Sequence, residues 1–379
     1  MFPSLIPRIF GTPTPPREQT QLSLTNTVNT LGLNILSHTL SLKPTKSAGL
    51  CALNITHCLS LLAAGSKDKN LAALAQVLNF TPQSLDAMIT NILSLDSYSK
   101  SSSAVDMSSA SAIFPRKDFI LKEPWKKLIL EQFKAEIGPL ELGPINGFIE
   151  RETKGKLKDV VKAGDIAQAV MVLVTCLYFK AKWANPFERS RTMVNETFYG
   201  FEREMKCDLM YKYDRMEYVE TSKCQVVVLP YQSGDTGPKW KAVVVLPKGK
   251  GVGAMRDLIA SLSASPDALT KLLVGSSGPS AKVNTGHSGG RPSRGGMGNV
   301  PSGRQEKVYL YLPRFSLRLN LDLIPSLSEL GLKPIFSPSS DFAPISAGPL
   351  MINKATHDLF IEVNEEGTEM AAATVMVMT

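Results

Sequence analysis

The sequence predicts an α+β fold organised as one large domain. Two observations predict it: helical periodicity comes first along the chain and strand-like runs dominate later. The two are not interleaved as regular βαβ units, so a doubly wound parallel sheet is disfavoured.

Val28, Leu31, Ile35 and Leu36 recur at helical spacing over about 25–42. A second helix is expected over about 53–64, where Ile55, Leu59 and Leu62 share a face. A third is expected over about 122–135 on Trp125, Leu128, Ile129 and Phe133. A fourth starts near Asn146 and stops at Lys154-Gly155, where glycine suits a C-cap. Residues 170–179 form an almost unbroken apolar run rich in β-branched side chains, as a strand buried on both faces requires. Residues 224–229 and 241–246 read as shorter strands, each closed by Leu-Pro. Val308, Leu310 and Leu312 alternate with Tyr309 and Tyr311 at a period of two. Residues 359–363 form a further strand.

Composition bounds the function. The 379 residues are 43% hydrophobic, enough for a large core, which excludes disorder for most of the chain. A net charge of +8 is mild and demands neither a nucleic acid nor any other acidic partner. The five cysteines, Cys51, Cys58, Cys176, Cys207 and Cys224, include no C-x-x-C pair, and most sit in apolar runs. Neither a zinc site nor a disulfide framework is indicated. The N-terminus is broken by prolines, with no signal peptide and no membrane span, which leaves a cytoplasmic location open. Residues 1–21 read as a flexible extension and 22–379 as the folded domain. Within it, residues 275–305 hold nine Gly, six Ser and three Pro and no acidic residue. That segment cannot bury enough apolar surface to fix itself and reads as a disordered, solvated insertion. Its Lys282, Arg291, Arg294 and Arg304 supply half of the net charge.

Two motifs resemble active-site signatures without their context. Gly286-His287-Ser288-Gly289-Gly290 matches G-x-S-x-G, but that nucleophile needs a strained turn between a strand and a helix, and here both flanks are Gly/Ser-rich. Gly251-x-Gly253 opens a G-x-G-x-x-G run but has Arg256 at the third glycine, and reads as a turn. The histidines His38, His57, His287 and His357 assemble into no ordered catalytic set. The chain is read as a binder rather than an enzyme, with no cofactor and no metal.

The informative constellation is the C-terminal run from Asn364 to Thr379. It follows a strand directly. Gly367 permits a bend, Ala371, Ala372 and Ala373 remove bulk, and a β-prone tail comes after them. Such a segment can be an exposed loop in one state and a strand in another. As a strand it puts Thr368, Met370, Ala372 and Thr374 on one face, and only Met370 is bulky.

Glu365-Glu366-Gly367-Thr368-Glu369-Met370 followed by alanines and Thr374 resembles the reactive-loop hinge of the serpins. Phe179-Lys180-Ala181-Lys182-Trp183-Ala184-Asn185-Pro186-Phe187 is similar to the family segment F-K-G-x-W-x-x-P-F. Thr153-Lys154-Gly155-Lys156, Leu229-Pro230-Tyr231, Leu246-Pro247, Leu312-Pro313-Arg314-Phe315, Leu330-Gly331, Phe336-Ser337 and Asp341-Phe342 extend the likeness from about residue 25 to 379.

The resemblance implies three β-sheets surrounded by about nine helices, a metastable native state and a bait loop at 365–379. That loop inserts into the main sheet after cleavage and traps the protease. It implies Trp183 beside the point where the loop enters. It also implies a sheet latch at His357 with Asn54 and Thr175, where the family more often has serine and asparagine; Cys51 stands at another serine position. Residues 82–106 hold a single cation, Lys100, which does not support binding of a sulfated polysaccharide there. The implied partner is a serine protease, with cysteine proteases second; a non-inhibitory carrier or chaperone is the alternative. The family default is a monomer outside the cell. By the same alignment Thr379 falls just before the bait bond, so the strands that normally follow are expected to be missing. An open sheet edge would then favour polymers.

Overall fold

The computed structural model describes residues 17–43, 46–94, 104–200, 204–234, 239–249, 251–265, 268, 272 and 304–379. The 1–16 part of the expected extension and the G-H-S-G-G motif lie outside these residues, as does the 275–303 part of the expected insertion.

Five helices supply one wall: α1 (Arg17–Leu42), α2 (Ala52–Ala64), α3 (Asp68–Val77), α4 (Leu85–Ser94) and α5 (Glu123–Glu131). Helix α1 begins earlier than the periodicity predicts. Helix α6 (Leu142–Glu152) crosses the opposite face of the sheet. Gly155 lies just past its end at φ +76°, donating its N–H to the Glu150 carbonyl, so the glycine stop is real. Short α7 (Ala163–Ile166), α8 (Gly251–Ser263) and α9 (Ile324–Leu327) make nine α-helices among the described residues. The expected turn at Gly251 is the first residue of α8.

The strands are β1 (Val105–Pro115), β2 (Glu136–Ile137), β3 (Met171–Lys182), β4 (Met193–Tyr199), β5 (Glu204–Glu220), β6 (Cys224–Pro230), β7 (Lys241–Pro247), β8 (Arg304–Asp322), β9 (Ile352–Val363) and β10 (Gly367–Met378). They form three sheets that share strands: β2-β1-β3-β10-β9-β8, then β4-β5-β8, then β5-β6-β7. Long β5 and β8 make them continuous. The expected alternation at 308–312 is only the middle of β8, which leaves β5 at Arg314 and pairs with β9 from Phe315 onward.

The expected central strand is β3, with nine consecutive buried residues from Met171 to Phe179. It is flanked by β1 on one side and β10 on the other. Three apolar clusters surround it. One lies among α1–α5 and the sheet (Ile55, Leu59, Ile113, Leu173), one under β5 and β6 (Met210, Val227, Leu229), and one beneath α6 (Phe148, Ile149, Val174). No helix of the described residues is long and apolar enough to cross a membrane.

Candidate functional site

The hinge residues do not form an exposed loop. After β9 the chain reverses at Asn364, whose Oδ1 accepts the N–H groups of Glu366 (3.0 Å) and Gly367 (3.1 Å). An asparagine that holds its own downstream backbone makes this reversal tight. The chain then runs as β10 between β3 and β9, antiparallel to both, from Gly367↔Lys182 to Met378↔Met171.

Gly367 is required by proximity. A Cβ on it would lie 2.0 Å from the Ala181 carbonyl oxygen and 2.9 Å from Lys182 Cα, so only a bare backbone passes there. Its N-terminal neighbours are anchored individually. Glu365 is buried; its carboxylate accepts the Thr192 hydroxyl (2.8 Å) and lies 3.6 Å from the Arg314 guanidinium. Glu366 is exposed and pairs with Arg189 at 2.5 Å.

Trp183 stands at the N-terminal end of β10. Its indole N–H donates to the Asn364 carbonyl (2.9 Å) and its backbone N–H to the Glu366 carbonyl (2.9 Å). Its ring stacks on Tyr231 at 4.6 Å. The Tyr231 hydroxyl donates to Thr368 Oγ1 at 2.8 Å. Glu369 accepts the Tyr178 hydroxyl (2.7 Å) and lies 3.0 Å from Lys156 and 3.4 Å from Lys180. Burial pushes its carboxyl up, but these donors outweigh burial and hold it below the usual range.

Sequence reasoning considered burial on one face of the strand; the structure buries both. Ala371, Ala373, Val375 and Val377 pack into the cluster beneath α6. On the other face Met370 and Ala372 meet the β5–β6 cluster, while Met376 and Met378 meet the helical one. Every residue from Ala371 to Met378 is buried. Two covered faces explain why bulk is absent through the three alanines.

Thr374 sits at the centre, directly across from Thr175 and His357. The Cys51 amide donates to His357 Nε2 (2.9 Å), which leaves the ring proton on Nδ1. Nδ1–H then donates to Thr374 Oγ1 (2.8 Å), and the Thr374 hydroxyl donates to Asn54 Oδ1 (2.5 Å). Thr175 Oγ1 donates to the Asn54 carbonyl (3.3 Å). Burial pushes His357 down to about 3, so the imidazole is neutral. Burial likewise pushes Cys51 up to about 11 and Cys58 up to about 12, which leaves both thiols protonated and poor nucleophiles at neutral pH. The three expected latch residues are thus brought together, and Thr374 of the hinge joins them.

Sequence reasoning missed Asn364, Tyr178, Lys156, Thr192, Tyr231 and Arg314 as partners of the hinge. Lys156, Tyr231 and Arg314 stood in recognised motifs, but nothing local pairs them with residues far along the chain.

The family model described as serpin (serine protease inhibitor) matches residues 26–279 and 297–379. A serine protease inhibitor of Cyanea capillata is 29% identical over 339 residues, covering 85% of this chain and 80% of that protein. A cleaved kallistatin solved with heparin superposes at a TM-score of 0.77, with 22% identity, 95% of this chain and 99% of that one covered. A reactive-loop-cleaved human thyroxine-binding globulin gives 0.78, with 20% identity, 95% of this chain and 99% of that one covered. Those two likenesses are of fold.

Proposed function

This chain belongs to the serpin family, a family of protease inhibitors, and on that premise we propose that it inhibits serine endopeptidases, with cysteine proteases second, by loop insertion and covalent trapping. The observation that carries this reading is that 367–378, the hinge with its glycine and alanine run, is a fully paired strand inside the main sheet. In the proposed reaction the protease nucleophile attacks the carbonyl of the bait bond. The peptide bond breaks and the new amine leaves with a proton. The ester, or thioester, that remains joins protease to inhibitor while the strand inserts. Burial of Val375, Met376, Val377 and Met378, each worth about 1.5–3 kcal/mol, helps drive insertion. The protein acts as a monomer and its partner is the protease.

A carrier or chaperone role gains little support. Met370, the bulky residue of the hinge, packs half-buried against the second cluster, and the altered latch closes through Thr374. The test uses the chain continued past Thr379 with an intact bait bond, incubated with serine and cysteine proteases and run on denaturing gels. We expect an SDS-resistant complex with a serine protease. Thr368→Arg should convert trapping to plain cleavage, because an unpaired charge would have to enter the sheet. Plain cleavage of the parent by every protease, with no covalent band, would overturn the proposal.

A further inference from the structure

A cavity of 680 Å³ has Trp183 in its wall. Trp183, Phe187 and Trp240 are among its walls, and Lys212, Arg215 and Lys239 among its polar lining. In all it is lined by four cations and two carboxylates, a net +2. One carboxylate, Glu217, lies 3.9 Å from Lys241, leaving Lys212, Arg215 and Lys239 with Asp214 as the other carboxylate of the lining and Glu188 acting on Lys212 from outside it.

Lys212 is the distinctive member. Its ammonium lies 5.2 Å from the centre of the Phe187 ring and donates to the Asn185 carbonyl, and it makes no ion pair among the described residues. Burial pulls it below the ordinary amine range, although Asp214 and Glu188 act in the other direction. A half-buried cation with carboxylates near it but none in ion-pair contact among the described residues, beside aromatic walls, is a group whose charge an incoming anion would neutralise. The Trp240 indole N–H is also buried with no partner among the described residues. The volume falls in the range of small-molecule sites.

We propose that this cavity binds an amphipathic aromatic monoanion, its rings against the partly exposed Trp240 and its acid group on Lys212. The site borders the hinge, because Trp183 holds the Asn364 and Glu366 carbonyls. Binding there does not depend on the trapping reading and is measured without a protease.

The test titrates the 379-residue protein with 8-anilinonaphthalene-1-sulfonate and, in parallel, with its uncharged relative N-phenyl-1-naphthylamine. Energy transfer from tryptophan to each dye is the readout. The sulfonate should bind at least about tenfold more tightly than the neutral dye. Lys212→Gln should weaken the sulfonate about tenfold and leave the neutral dye unchanged, whereas Lys212→Arg should retain binding. Lys127→Gln, on the exposed side of α5, should change nothing. Raising ionic strength should weaken only the sulfonate. Equal affinity for the two dyes, or Lys212→Gln binding the sulfonate like the parent, would overturn the proposal; circular dichroism of the variant checks that it is folded.

Discussion

Thr374→Val isolates the latch. Valine matches threonine in shape and is at least as good a β former, so packing and propensity predict little loss or a small gain. The hydrogen-bond chain predicts the reverse. Thr374 is fully buried, accepts His357 Nδ1–H and donates to Asn54 Oδ1. Without the hydroxyl, both groups lose their partner in a site closed to water. Asn54 cannot compensate by turning its amide, because its Nδ2 already has no partner among the described residues. Each stranded buried group costs about 1–3 kcal/mol, so the variant should lose about 2–6 kcal/mol. Thr374→Ser keeps the hydroxyl and gives up one methyl, a loss of about 1 kcal/mol. The expected order of stability in urea unfolding is therefore Thr, then Ser, then Val. Valine within about 0.5 kcal/mol of the parent, or above serine, would refute the latch reasoning.

Two further outcomes follow from the same site. His357 is neutral in the fold at about 3 against an ordinary value of 6.5, so the unfolded chain takes up a proton that the folded one refuses. Its contribution is whole above about pH 6.5 and is lost as pH falls toward 3, at up to about 1.4 kcal/mol per pH unit; His357→Gln should flatten that slope in denaturant titrations, and an unchanged slope contradicts the assignment. Gly367→Ala places a methyl 2.0 Å from the Ala181 oxygen, so the first pairing of β10 with β3 must open. A stability loss of about 1–3 kcal/mol with faster amide exchange over 367–371 is expected; parent-like exchange would show that the strand enters with slack.

Much of this architecture is legible because it is local. The β-branched apolar run of β3 needs no partner to be recognised, and neither does the glycine that ends α6. The second half of β8 went unread although it carries the same signal: Phe315, Leu317, Leu319 and Leu321 alternate with Arg314, Ser316, Arg318 and Asn320, but the proline at 313 makes the run look finished. That proline sits where β8 passes from one sheet to the next, so the break that hides the strand is the feature that joins the sheets. Strand β1 reads weakly because Ser108, Ser109 and Ser111 dilute its apolar pattern.

The site is harder to read because its meaning is non-local. In the chain, Thr374 is one β-branched residue in a β-prone tail; its role exists only where Asn54 and His357, 320 and 17 residues away, converge on it. The same holds for Glu369, which joins a lysine following α6 to a tyrosine of β3. An ordinary flexible tail could share the composition of 367–378, since alanine, valine and methionine satisfy either state. What sets this segment apart is the specificity of its edges and ends: a position that admits no Cβ, a hydroxyl with a donor on one side and an acceptor on the other, and a carboxylate held by two lysines. Each would be a liability in a strand placed at random. Their agreement along one register, from Gly367 to Thr374, is the physical argument that this strand and the sheet around it are matched to one another.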